Sequence, residues 1–90
     1  MKKIYIIQVE RTEYFSGLDP DRFEYVLDYF YVTPVEAEIA IAKNIAKIAL
    51  NANCEYKNYP RKLELRKSEN NSVVYRYMIL ELNKGNIDIE

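Results

Sequence analysis

Histidine and tryptophan are absent from this chain, and cysteine occurs once, at Cys54. Without histidine the chain lacks the side chain that most often acts as acid or base near neutral pH, and Cys54 has no imidazole to activate it. A lone cysteine excludes an intramolecular disulfide, and with no histidine any metal would rely on oxygen ligands. Two glycines are too few for a phosphate-cradling loop. Carboxylate pairs such as Asp19/Asp21 and Glu36/Glu38 fall in turn or capping contexts, and two positions apart on a helix the side chains diverge. The residues predict no catalytic group, no metal and no cofactor, hence a protein that is not an enzyme.

Long apolar runs are missing too. The longest near the middle, Ile39 to Ala42, is far below the roughly 20 residues that cross a bilayer. The opening Met-Lys-Lys-Ile-Tyr-Ile-Ile-Gln-Val-Glu has too short an apolar run for a signal peptide. The expectation is a cytoplasmic protein with no membrane association, in the host-cell cytoplasm if the chain is viral.

Tyrosine is abundant, with nine in 90 residues. A hydrophobic fraction of 49% and a charged fraction of 30% are those of a folded chain, and the length fits one domain spanning residues 1–90. Net charge is −1, split unevenly: residues 1–40 hold four basic and eight acidic groups, residues 41–90 nine basic and six acidic. Such a split either steers a partner or pairs internally.

Lys2 to Val9 is rich in β-branched and aromatic residues and reads as a strand, apolar on both faces as a central strand should be. Ser16-Gly17-Leu18-Asp19-Pro20-Asp21 is a turn cluster. Arg22 to Val32 fits a strand by alternation and a helix by the spacing of Phe23, Val26, Leu27 and Phe30; aromatic and β-branched enrichment favours the strand. Thr33-Pro34-Val35-Glu36 combines a hydroxyl cap, proline at the first helical position and glutamate three residues after the cap, so a helix is predicted over 34 to about 52. Val35, Ile39, Ala42, Ala46 and Ala49 form one stripe and Ile41, Ile45 and Ile48 the next, a wide face for a sheet to cover, with the alanines allowing close approach. Tyr56 to Pro60 reads as a loop or irregular edge. Arg61 to Lys67 and Ser72 to Leu82 read as a hairpin. Lys84-Gly85-Asn86 then turns the chain, leaving residues near 83–90 as a flexible tail or short edge strand.

The order predicts an α+β domain, ββαββ, with a four-stranded, mainly antiparallel sheet and one helix on one face. The other face must then be wet, dimerised or bound to something. Alternation groups Tyr5, Tyr25, Tyr29, Tyr31, Tyr75 and Tyr77. On the face away from the helix they would make a partner-binding surface; under the helix they are ordinary core.

Two further surfaces compete with this one. Glu10, Glu13, Asp19, Asp21, Glu24 and Asp28 could imitate phosphates in a basic groove of another protein. Tyr56, Lys57, Tyr59, Arg61, Lys62, Arg66 and Lys67 combine cations with aromatics as nucleic-acid-binding segments do. Strand alternation sends Arg61 and Lys67 one way and Lys62 and Arg66 the other, which argues against one cationic patch. Arg76 interrupts an apolar stripe and must snorkel to an edge or meet a carboxylate.

In size, in lacking catalytic groups and in its Asn, Lys, Ile and Tyr content, the chain looks like small accessory proteins of phages and mobile elements, including anti-CRISPR and other anti-defence inhibitors. The likeness is one of composition and implies a protein-binding inhibitor that occupies a functional surface of a host protein. The alternatives are a nucleic-acid-binding regulator using residues 56–67, and a homodimer whose tyrosine face is structural.

Overall fold

A computed structural model describes residues 3–83. The hairpin of β1 (Lys3–Phe15) and β2 (Asp21–Tyr31) is followed by α1 (Pro34–Ala52), then β3 (Glu55–Tyr59), β4 (Lys62–Ser68) and β5 (Asn71–Asn83). The strands form one sheet in the order β2-β1-β5-β4-β3, with every neighbouring pair antiparallel. The α+β class and the single helix are as expected. Among the described residues, however, the sheet has five strands rather than four, and the order is ββαβββ.

The extra strand, β3, occupies the stretch read as a loop. Its Lys and Asn have weak strand propensity, but Tyr56 lies opposite Leu65 and the Pro60-Arg61 turn folds the segment back on β4. Pairing with an open edge overrides local preference. β1 likewise runs on to Phe15 rather than ending near Val9, because its charged residues find partners across the sheet: Glu10 meets Arg22 and Arg76, and Glu13 accepts from Asn71 Nδ2 at 3.0 Å. Residues 22–32 are strand rather than helix up to Tyr31. Gly17 takes φ +79°, the left-handed conformation the turn requires, and Ser16 N–H donates to Asn70 O at 3.0 Å, tying the two hairpin tips together. The expected tail or edge strand after residue 83 lies outside the described residues.

The helix starts as its sequence dictates. Thr33 is extended, its Oγ1 accepts from Glu36 N–H at 3.2 Å, and Glu36 Oε1 reaches back to accept from Val32 N–H at 3.4 Å, one residue before the cap rather than at the cap itself. It ends at Asn53, which takes the left-handed φ of 54° common after a last turn. Since α1 leaves one edge strand, β2, and leads into the other, β3, it crosses the whole sheet.

Ala37, Ile41, Ile45 and Ala49 face the sheet and close a core with Ile7, Val9, Leu63, Leu65, Val73 and Tyr77. Of the alanines expected to allow close approach, Ala49 is buried and Ala40 packs partly buried against the core, joined by Ala37. Ala42 and Ala46 point to solvent with Val35, Ile39 and Leu50, because one layer of sheet covers only one side of a helix whose apolar residues wrap further round.

Two polar contacts fasten the helix. Arg61 in the β3–β4 turn forks onto Glu38, with Nε 3.1 Å from Oε2; its hydrogen bonds hold the Glu38 carboxyl below the usual range. Tyr77 donates its hydroxyl to Asn44 Oδ1 at 2.5 Å, and burial pushes its phenol pKa well up.

Candidate protein-docking surface

Among the described residues one face of the sheet has no helix on it, and the cross-strand register says what lies there. Odd-numbered residues of β1 and β5, such as Ile7, Val9, Val73 and Tyr77, pack against α1. Even-numbered residues therefore occupy the open face. Val26, Gln8 and Met78 stand side by side, Phe30, Ile6 and Leu80 form the adjoining row, and Leu82 with Ile4, which is itself buried, the next. Val26 is 48% exposed, Phe30 62% and Met78 55%. This is a contiguous apolar patch spread over three strands, with Gln8 as its one polar member.

Along the same face the chemistry changes abruptly. Glu24, Glu10, Arg76 and Lys62 form one cross-strand row, and Arg22, Thr12, Val74 and Glu64 the next. Glu10 sits between two arginines, with Arg76 Nη1 at 3.5 Å and Arg22 Nε at 3.7 Å, and Lys62 Nζ lies 3.1 Å from Glu64. Arg76 thus meets a carboxylate. Ladders of half-exposed charges contribute little to stability, but they keep this half of the face hydrated. Beneath them Thr12 is fully buried, and its Oγ1 has no hydrogen-bond partner among the described residues.

The patch continues onto an edge. β2 is the outermost strand, and apart from Leu27 and Tyr31 all its residues are exposed. Its register with β1 shifts between Ile6 and Gln8, so that Leu27, Asp28 and Tyr29 stand opposite the single Ile7. Such a bulge sharpens local twist and splays side chains outward, which leaves Tyr29 73% exposed.

The tyrosines are placed differently from an open, partner-binding face. Tyr77 is buried in the core, and Tyr5, Tyr31 and Tyr75 pack against it, all on the helix-covered side. That face carries almost no charge at the sheet centre, whereas the opposite one carries Glu10, Arg76 and Glu64; hydration decides which of two apolar-looking faces a helix can cover. Tyr25, opposite Val9, lies on the covered side but beyond the helix, beside Phe23 and Arg11. Arg11 Nε donates to Tyr75 OH at 3.2 Å, while burial and the neighbouring Tyr75 raise the Tyr25 pKa. Of the six, only Tyr25 and Tyr29 belong to the exposed edge.

The acidic set divides as well. Glu10 and Glu13 are held by arginines, Glu13 by Arg11 at 3.5 Å, whereas Asp19, Asp21, Glu24 and Asp28 are exposed and in no ion pair among the described residues. The basic set is not gathered into one patch. Arg61 is engaged by Glu38, Lys62 by Glu64 and the Tyr59 ring, Lys57 stands opposite Glu64, and Arg66 opposite Glu55. Tyr56 and Lys67 border two different hollows.

A shallow cleft of about 590 Å³ lies below the two hairpin tips, lined by Tyr14, Tyr56, Lys57, Glu64 and Arg66 among others. Its charges alternate in sign and converge on no single point. Among the described residues no group of three or more acidic or cysteine side chains is placed to hold a metal, and no helix is long and apolar enough to cross a membrane.

Sequence reasoning missed Val26, Phe30 and Met78. The available signal was that even positions in β1, β2 and β5 combine these residues with Gln8, Glu10 and Arg76, and a face carrying those charges is the one left in water. No protein-family model matches the chain, and no curated protein or solved structure matches it either.

Proposed function

We propose that this chain is a non-enzymatic protein-binding module that inhibits a larger partner by occupying one of its functional surfaces. The observation that carries this reading is the exposed apolar patch of Val26, Phe30 and Met78, continuous with the exposed β2 edge. Contiguous apolar surface rimmed by charge is how protein-binding sites are built, and its desolvation supplies affinity. The compositional likeness to phage and mobile-element inhibitors suggests a host protein as the partner. Internal pairing of Arg61 and Lys62 favours this over nucleic-acid binding, where free cations would be needed to neutralise phosphates.

The experiment is to recover a partner by cross-linking in the native host, then titrate it with purified wild type and with Val26→Ser, Phe30→Ser and Met78→Ser. Central contacts of this kind contribute about 2 kcal/mol or more to binding, so each substitution should weaken association about thirtyfold while leaving thermal unfolding nearly unchanged. Unaltered affinity in all three variants would overturn the assignment.

A further inference from the structure

We infer that the β2 edge accepts an extended, cation-bearing segment of a partner protein as a sixth strand of the sheet. This rests on the docking surface described above and names the kind of partner it takes.

The backbone makes the first half of the argument. Among the described residues no strand lies on the outer side of β2, and ahead of the bulge, residues 21–26 pair with β1 in unbroken register. An outer strand presents alternate N–H and C=O groups that only another strand can pair in series. Such edges are usually blunted by shortness, by lysine or by proline. β3, at the opposite edge, is five residues long and carries Lys57. β2 is eleven residues long, and neither lysine nor proline occurs within it. Its bulge limits the acceptor to residues 21–26, enough for a strand of about six residues.

Charge makes the second half. Asp19, Asp21, Glu24 and Asp28 lie along or beside this edge with no ion pair among the described residues, and the one cation of the strand, Arg22, is drawn inward to Glu10. Two copies of β2 laid side by side would bring like charges together, which disfavours symmetric pairing. An incoming strand with Lys or Arg opposite Asp21 and Glu24, and apolar side chains opposite Phe23, Tyr25 and Val26, meets both chemistries at once.

The test starts from a displayed library of random octapeptides selected on the intact protein at physiological salt. Enriched sequences should carry two basic residues three positions apart with apolar residues between and beside them, and the strongest binder should protect β2 amides from hydrogen exchange. N-methylating the peptide nitrogens at alternate positions, those facing the edge, should weaken binding about tenfold or more, while methylation at the intervening positions should have little effect. Glu24→Lys should weaken it to a similar degree. Failure to enrich any peptide, or enrichment of acidic ones, overturns the inference. So does equal tolerance of methylation at every position, which would indicate docking by side chains alone and leave the patch of Val26, Phe30 and Met78 as the binding surface. Concentration-dependent assembly in sedimentation, abolished by Glu24→Lys, would also overturn it, by showing that the edge takes a second copy of this chain.

Discussion

The two faces of this sheet are made from the same strands, yet one is core and the other is surface. On the covered face Ile7, Val9, Val73 and Tyr77 meet Ile41 and Ile45 of the helix. On the open face the neighbours one residue along are Ile6, Gln8, Met78 and Leu80, grading into Glu10, Thr12 and Arg76. Apolar content alone does not separate them. The separation comes from where charge sits, since a carboxylate or guanidinium at the sheet centre cannot lie under a helix without a large desolvation cost. The open face therefore keeps Val26, Phe30 and Met78 exposed as a consequence of its charged half.

The largest effects should come from breaking this asymmetry. Ile41 is fully buried between helix and sheet, so Ile41→Ala should lower unfolding free energy by about 2 to 5 kcal/mol through lost transfer energy and the remaining cavity. Phe30→Ser removes a larger side chain from the open face and should cost no more than about 0.5 kcal/mol, the range of ordinary surface substitutions. Chemical denaturation of both variants checks the contrast. Comparable losses would mean that the open face is packed in the free protein and is not available for docking.

A pH titration sharpens the same comparison. Burial raises the Tyr77 pKa in the folded state, so the unfolded chain releases this proton first, near pH 10. Stability is then complete below that pH and falls as pH rises above it, by about 1.4 kcal/mol per unit for one proton. Tyr77→Phe should remove this part of the slope, at the cost of the hydrogen bond to Asn44. Denaturation midpoints collected between neutral and strongly alkaline pH give the readout.

What could be seen in the sequence followed the local determinants. Thr33 and Glu36 mark the helix start because capping involves only four consecutive residues, and Gly17 marks its turn because few other residues tolerate its backbone. β3 was not legible, since Glu55 to Tyr59 becomes a strand only by pairing with β4, a relation that propensity does not encode. Nor was the extension of β1 through Glu10 and Glu13, which depends on Arg22, Arg76 and Asn71 arriving from elsewhere in the chain. The tyrosine set drew attention by number, but a tyrosine is as ready to bury its ring and bond its hydroxyl, as Tyr77 does, as to offer both to a partner. The patch on the open face is built of residues individually unremarkable and far apart in sequence. Only the register brings Val26, Phe30 and Met78 together.

The smallest effect concerns the place where the open face is both charged and buried. Thr12 has no exposed surface and its hydroxyl has no partner among the described residues, although it lies in the charged half beside Arg22 and Val74. A buried hydroxyl without a hydrogen bond carries its desolvation penalty uncompensated, and valine has nearly the same shape without it. Thr12→Val should therefore stabilise the protein by about 1 kcal/mol, against the usual direction of substitutions at fully buried sites. Thr12→Ala, which removes the methyl as well, should lose part or all of that gain through the cavity it leaves. If valine instead destabilises, the hydroxyl is engaged in solution, and an ordered water bridging it to the Arg22–Glu10–Arg76 ladder becomes the account of why this half of the face stays polar.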